Sequence, residues 1–533
     1  MDINLLTSLS DNIRIDHEKC TACGRCVEIC ILDNLRLQLS PCRGACPIGM
    51  NCQGYIHLIA KGKTEKALEM VKETIPFGRI LSRVCSRPCE AVCNRIKVDH
   101  QPVAIRDLKR FLTDQDSQPW TPTIAQEHPQ KVAIIGAGAA GLTAVFYLRT
   151  WGFQVTLYDK ESVAGGLMRW AIPEFRLPQD ILERELSFIQ RLGIEFIGNR
   201  ALGKDLQLKE LEKEFDAILL ALGAHGQMKL DIPGEDAPHA FPVLDFMKKV
   251  RLKKPPHVGQ KVVVMGGGNA AVDAAQTALH LGAKEVQLVS LERREEMLAS
   301  PWSIAEAEEE GVHIRNGWGP IKFRFSGKKL TGVVLKKCTA VYDPQGDFCP
   351  TYDEKKTLNL SADTVILAVG QKPALDSLDP FLLGPLGISY DPITFQTPNP
   401  KIFSAGDFNR GPKTIVEAMS QGKEAAISIQ RFLNGEDLYY GRGSGSPYEL
   451  QFEPDLSRAN PRSRVAMASL SLSQRMGFQE VSLGYSKEEA LAEAERCLNC
   501  GKPFGLRTCW FCLPCEIECP EEALYVEIPY LLR

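Results

Sequence analysis

The sequence predicts an α/β chain built on two parallel sheets, and three observations predict it. An apolar strand, a glycine turn, a helix and a second strand follow one another in KVAIIGAGAAGLTAVFYLRTWGFQVTLYDK (131–160). The same plan returns in KVVVMGGGNAAVDAAQTALHLGAKEVQLVSLE (261–292). Two further apolar strands, AILLALGA (217–224) and TVILAVGQ (364–371), also end in glycine turns. Strands apolar on both faces suit a buried parallel sheet, and each strand–helix–strand unit is a βαβ crossover.

A chain of 533 residues is too long for one core, so three or more domains are expected. Charged residues make up 24% and hydrophobic residues 44%, as in an ordinary globular protein. The net charge of −3 gives no electrostatic case for nucleic acid or a membrane surface. No apolar run is long enough to span a bilayer. The opening MDINLLTSLSDNIRIDHEKC lacks a basic region followed by an apolar stretch, so no secretory leader is expected and the expected location is cytoplasmic.

The first glycine turn is Gly136-x-Gly138-x-x-Gly141. Its first glycine permits the tight turn. Its second lets backbone approach a pyrophosphate, and its third lets helix and strand pack closely. The pyrophosphate then sits at a helix N-terminus, where free N–H groups favour anions. Asp159 closes the next strand, where a ribose hydroxyl needs an acceptor. The second turn is Gly266-x-Gly268-x-x-Ala271, with Asn269 opening its helix. These are two Rossmann-like dinucleotide-binding units. The economical pairing is a bound flavin and a diffusible nicotinamide.

The motifs GAGAAGL, GGLMRWAIPEFRLP (165–178), GGGNAAVDAA (266–275) and SAGDFNRGPKTIVEAMSQGKEAA (404–426) resemble the small subunit of glutamate synthase. The same module is similar to the N-terminal part of dihydropyrimidine dehydrogenase and to related flavin-containing electron-transfer subunits. The resemblance covers residues from about 41 to 430. It implies FAD at the first site, with Gly166, Gly406 and Asp407 near the flavin nucleotide, and NAD(P)H at the second. In NADPH-using members two arginines end the second strand of the nicotinamide unit. Those positions are Leu291 and Glu292 here. A carboxylate there accepts from a free 2′-hydroxyl and repels a 2′-phosphate, which favours NAD(H). Arg293 and Arg294 follow at once and can still reach a phosphate, so NADP(H) stays open.

Cysteine is the compositional anomaly. Of 18, all but Cys338 and Cys349 lie in two stretches, Cys20 to Cys93 and Cys497 to Cys519. The runs Cys20-x2-Cys23-x2-Cys26-x3-Cys30 and Cys509-x2-Cys512-x2-Cys515-x3-Cys519-Pro520 have [4Fe–4S] spacing rather than the paired spacing of zinc sites or of a disulfide framework. Two clusters are therefore firm expectations. In two-cluster ferredoxins the fourth cysteine of each run binds the other cluster. Each run here is either complete alone or exchanges Cys30 and Cys519 with its counterpart.

A third group, Cys42-x3-Cys46 and Cys85-x3-Cys89-x3-Cys93, resembles the family's helical iron–sulfur domain. By that resemblance Cys46, Cys85 and Cys89 serve one cluster, and Cys42 and Cys93 another. The family takes two more ligands from a CxxC just before Cys42, which is missing. Its last ligand, a Glu or Gln, aligns with Lys109, whose ammonium has no lone pair. EAERCLNCGKPF (493–504) looks like the missing segment displaced along the chain. Cys497 and Cys500 join Cys42 and Cys93 or serve the C-terminal run, and Cys52 stands in for the lost acid. On that reading the clusters number up to four.

The fold expected is α/β: two Rossmann-like domains for FAD and NAD(P), a helical Fe–S domain and ferredoxin-like terminal segments. The boundaries expected are 1–40 for the first ferredoxin-like segment, 41–115 for the helical domain, and 127–235 with 374–438 for the FAD domain. Residues 236–373 are expected to bind NAD(P)H, 439–490 to be linker, and 491–533 to be the second ferredoxin-like segment. The function expected is an electron-transfer flavoprotein subunit, diaphorase-like, linking NAD(H), FAD and clusters to a larger oxidoreductase subunit or ferredoxin in a hetero-oligomer. Hydride transfer needs no side-chain acid or base, so no catalytic residue is named. Alternatives are the NADPH-dependent glutamate synthase small subunit itself, a bifurcating transhydrogenase subunit and a non-catalytic Fe–S scaffold. No CxxC lies between Cys93 and Cys338, which argues against flavin disulfide reductase chemistry.

Overall fold

The computed structural model describes residues 12–31, 35–117, 121–385, 387–411, 413–442, 459–505, 509 and 512–527, with short pieces at 448–449, 453–454 and 456. The first fingerprint strand, Lys131–Ile135, lies at the centre of a five-stranded sheet. The order is Ile402–Ser404, Ala217–Leu220, Lys131–Ile135, Gln154–Tyr158, Glu195–Ile197, all parallel. Its strands Ile402–Ser404, Ala217–Leu220 and Lys131–Ile135 are buried almost throughout, as continuous apolar runs require. Helices Ala139–Thr150 and Ile415–Asn434 pack on each other over one face.

The second fingerprint strand, Lys261–Met265, centres a like sheet. Its order is His313–Asn316, Glu285–Ser290, Lys261–Met265, Thr364–Leu367, Ala240–Pro242, again all parallel. One element was not read from the sequence: an antiparallel meander of Trp318–Ser326, Lys329–Tyr342 and Phe348–Ser361. Its Val333 and Leu335 pack against Val263, Val289 and Val365 of the sheet.

Two devices hold the sheets in relation. Gly226–Gln227 pairs antiparallel with Gln371–Lys372 where the chain crosses between them. Arg176, from the first unit, pairs with Asp273 and Glu306 of the second and donates to Gln276 Oε1 (2.8 Å) and Ser303 Oγ (2.7 Å). Arg176→Ala would leave Asp273, 14% exposed, without its cation. Breaking such a pair costs about 3 kcal/mol. The expected result is a lowered thermal midpoint and slower flavin reduction by nicotinamide with flavin content unchanged; an unaltered reduction rate would show that the contact does not set domain geometry.

The segment YIHLIAKGKTEKALEMVKE (55–73) has helical periodicity throughout, and two helices form across it, Cys52–Ala60 and Thr64–Thr74. Gly62 breaks them with φ +73°, which glycine adopts without a Cβ clash. The fold back lets Tyr55, Ile56 and Ile59 share a core with Ala67 and Val71. A fully buried side chain of this size contributes about 1.5–3 kcal/mol.

The stretch expected as linker, 439–490, does more than connect. Arg475 pairs with Glu309, Glu480 with Arg83 and Arg110, and Arg464 with Glu90 and Asp107. Its Gly-, Ser- and Pro-rich start suggests a spacer, yet its side chains tie the helical domain to the second nucleotide-binding unit. The helix Lys487–Ala494 follows and packs on Cys52–Ala60.

The two ferredoxin-like segments meet. Ile13–Ile15 pairs antiparallel with Leu524–Val526, and Leu35–Gln38 with Lys502–Gly505. Asn12 exchanges hydrogen bonds with the Cys509 backbone at 3.2 and 3.3 Å.

Candidate functional site

A cavity of about 300 Å³ opens where the first sheet's strands end in glycine turns. Gly136, Gly138, Asp159, Gly166, Gly406 and Asp407 all line it. Gly141 stands behind it in the helix, against the Gly136 carbonyl. Gly136 has φ +112°, and a Cβ there would fall 2.2 Å from the Ala221 carbonyl oxygen. A Cβ on Gly138 would meet nothing within 4 Å, so the backbone there faces open space. The N-terminus of Ile415–Asn434, with Lys413 and Thr414, faces the same cavity and adds anion-favouring N–H groups.

Asp159 Oδ2 accepts from Ala137 N (2.6 Å) and Oδ1 from Glu161 N (2.8 Å). Each oxygen keeps a further lone pair for a ribose hydroxyl. Burial pushes its carboxyl up from the usual range, and burial pushes Asp407 up to about 6. Shape, glycine loop and acceptor thus suit a dinucleotide. The sequence reading missed Lys160, Trp170, Arg200, Lys413 and His225, which also line the cavity. Burial holds His225 down to about 4, so it stands neutral there at pH 7. It is the next residue after AILLALGA, and only the strand end could have pointed to it.

At the second turn Gly266 has φ +135°, and Gly268, like Gly138, faces open space. Ala271 is fully buried in the helix–sheet contact. Asn269 spends its side-chain oxygen on Ser300 N (3.0 Å). The Glu292 carboxylate lies over Gly267; a Cβ added there would fall 2.4 Å from it. Arg294 is paired with Glu308, and Arg293 is exposed, its N–H donating to Glu296.

The cysteines form groups. One cavity is rimmed by Cys20, Cys23, Cys26 and Cys519. Across the paired strands, Cys515 lies in the field of Cys509, Cys512 and Cys30. A second cavity is rimmed by Cys42, Cys93, Cys497 and Cys500. The segment bearing the last two is anchored by Arg496, 1% exposed, which donates to Pro102 O, Gln101 O and the carboxylates of Glu493 and Asp99. Cys52 is fully buried and its thiol contacts Cys42, Cys46 and Cys89, while Cys85 lies in the field of Cys89 and Cys46.

Burial pushes Cys20, Cys500 and Cys515 up to about 11. Thiols so placed become thiolates only beside a strong cation such as iron. Donation from the Cys52 thiol instead draws Cys46 down to about 6. Among the described residues no three Cys, His, Asp or Glu side chains close on a single ion. A cubane takes one thiolate at each of several irons, so its ligands rim a space rather than meet at a point. Of the two remaining cysteines, Cys338 is buried with its thiol on Ala340 O, and Cys349 is exposed.

Residues 130–422 match the family model described as pyridine nucleotide-disulphide oxidoreductase, and residues 10–120 match dihydropyrimidine dehydrogenase domain II, 4Fe-4S cluster. The chain belongs to the pyridine nucleotide-disulphide oxidoreductase family. It is an FAD-dependent NAD(P)H oxidoreductase with a 4Fe–4S domain. It is similar to the NADP(+)-dependent formate dehydrogenase subunit beta of Moorella thermoacetica, 34% identical over 86% of this chain and 70% of the relative. It is also similar to the NADPH-Fe(3+) oxidoreductase subunit beta of Geobacter sulfurreducens, 32% identical over 86% and 75%. A third relative is the NAD-dependent dihydropyrimidine dehydrogenase subunit PreT of Escherichia coli, 34% identical over 74% and 92%. Mycobacterium tuberculosis FprA in complex with NADPH shares the fold, with TM-score 0.51 and 18% identity over 58% of this chain and 85% of that one. This member of the pyridine nucleotide-disulphide oxidoreductase family has no cysteine lining its nucleotide cavity among the described residues. Nor, among them, has it a helix long and apolar enough to cross a membrane.

Proposed function

We propose that the chain carries electrons between NADH and a partner oxidoreductase subunit or ferredoxin in the cytoplasm, through FAD and four [4Fe–4S] clusters in series. The observation that supports this reading is the gathering of 16 cysteines at the helical domain and the paired terminal segments, with two cavities each rimmed by four of them. The ligand sets proposed are Cys46, Cys52, Cys85 and Cys89; Cys42, Cys93, Cys497 and Cys500; Cys20, Cys23, Cys26 and Cys519; and Cys30, Cys509, Cys512 and Cys515. When bound, FAD takes a hydride and releases electrons singly, which clusters require. The chain's residues bind and orient: Gly138, Gly166, Gly406 and the N-terminus of Ile415–Asn434 seat the flavin nucleotide, with Asp159 on its ribose.

The same helix supports an order for the clusters. Its Ile415 and Ala418 line the flavin cavity, while Ser420 Oγ donates to Pro47 O (2.7 Å) and Lys423 Nζ to Ile48 O (3.3 Å). Cys46 is therefore the cysteine nearest in this chain of contacts. Cys52 joins it to Cys42, and Gln53 then bonds Gly501 N and O at 2.8 and 2.9 Å, beside the strand that pairs with Leu35–Gln38. Electrons then have one exit, at the paired segments. The relatives named as beta subunits support a partner subunit. About sixteen irons per chain are expected, and about eight would refute the four-cluster count, since each cubane carries four. NADH should bleach flavin and clusters and drive dye reduction; no NADH oxidation would revive the scaffold reading.

Glu292, with Arg294 occupied by Glu308, supports NADH over NADPH. The wild type should show at least tenfold higher kcat/KM with NADH, about 1.4 kcal/mol. Glu292→Ala should shrink that ratio. A wild-type preference for NADPH would overturn the assignment.

A further inference from the structure

Helix Ile105–Asp114 is buried from Ile105 to Thr113, and its ionisable side chains are paired with one exception among the described residues. Arg106 meets Asp107 at 3.2 Å, Arg110 meets Asp114 at 3.1 Å and Glu480 at 2.9 Å, and Asp107 meets Arg464 at 3.3 Å. Lys109 is 6% exposed, and among the described residues no carboxylate pairs with it. The helix packs against Cys52–Ala60, against Gly78–Val84, which Cys85 caps, and against Pro88–Ala91, which holds Cys89. Cys46 and Cys85 are both charge neighbours of Lys109.

A buried cation is expensive unless a negative group answers it. Among the described residues no carboxylate pairs with Lys109, and the thiols of Cys46 and Cys85 lie beside it. We infer that Lys109 is a tuning residue: it holds a positive charge against the cluster of Cys46, Cys52, Cys85 and Cys89 and so raises that cluster's reduction potential. The inference rests on the four-cluster reading above. Because Cys52 supplies the fourth sulfur, the side chain at 109 is released from ligation and acts through charge alone. A cluster and its thiolates gain one negative charge on reduction, so a fixed cation stabilises the reduced state more than the oxidised one. Lys423, whose Nζ bonds Ile48 O and lies 5.5 Å from the Tyr147 ring centre, adds a second cation on the flavin side. The cluster first in line from the flavin is thereby made the readier acceptor.

The test is a redox titration of the full chain followed by electron paramagnetic resonance, in wild type, Lys109→Met and Lys109→Arg. The cluster is identified as the signal that Cys52→Ala removes. Lys109→Met should shift its reduction equilibrium at least tenfold toward the oxidised form, about 59 mV for one electron. Lys109→Arg, which keeps the charge, should leave it near the wild-type value, with iron content equal in all three. An unshifted potential in Lys109→Met overturns the inference, as does an equal shift in both variants. A wild type with about eight irons, or a Cys52→Ala variant that loses no signal, fails the four-cluster reading instead and takes the inference with it.

Discussion

Replacing Cys519 with alanine should remove the cluster of the Cys20 run, not that of its own run. Cys519 rims the cavity with Cys20, Cys23 and Cys26, whereas Cys515 faces Cys509, Cys512 and Cys30. The pairing of Ile13–Ile15 with Leu524–Val526, with Asp16 N donating to Ala523 O at 2.7 Å, brings the two runs together and supports that exchange. About four irons per chain should be lost, one cubane's worth. The surviving signal should match that of Cys23→Ala and differ from that of Cys512→Ala. If Cys519→Ala and Cys512→Ala lose the same signal, each run is complete alone and the exchange is wrong.

Gly138→Val should strip the chain of flavin while leaving it folded. A Cβ at 138 meets no protein atom within 4 Å, so its extra methyls occupy only the space left for a pyrophosphate. Flavin per chain should fall at least tenfold, with dye reduction lost and far-ultraviolet circular dichroism unchanged. Gly422→Val is the contrast. A Cβ at 422 would fall 2.1 Å from the Ala140 carbonyl oxygen, wedging apart the two helices that cover the sheet. That variant should fail to fold. Retention of flavin by Gly138→Val would move the pyrophosphate elsewhere.

Both parallel sheets were legible because their strands are apolar runs ending in glycine turns, and such runs have few other uses in a globular chain. The meander of residues 318–361 was not, although KLTGVVLKK alternates weakly. Its strands are long, bulged and half-exposed, so their pattern is diluted. At the first cavity Gly136 and Gly138 were readable because phosphate binding demands small residues at fixed spacing, and Asp159 because it closes the next strand; Gly166, Gly406 and Asp407 came from the family resemblance. His225 and Arg200 were not, since they reach the cavity from other strand ends and carry no local signature. Whether Cys30 and Cys519 cross between the runs could not be read at all, because it depends on strand pairing between segments that the sequence holds far apart. The displaced CxxC of Cys497 and Cys500 was visible only by its spacing; the buried arginine that anchors it, Arg496, looked like any surface charge.

The strand pairing between Ile13–Ile15 and Leu524–Val526 also orders events during synthesis. The thiols of Cys20, Cys23 and Cys26 leave the ribosome first, and Cys519 follows only after both nucleotide sheets have been made. A chain cut short before Cys519 would keep both nucleotide sheets and lack the fourth cysteine of the cavity that Cys20, Cys23 and Cys26 rim. On the exchanged pairing, that cavity gains its fourth thiol only when the last segment of the chain is made.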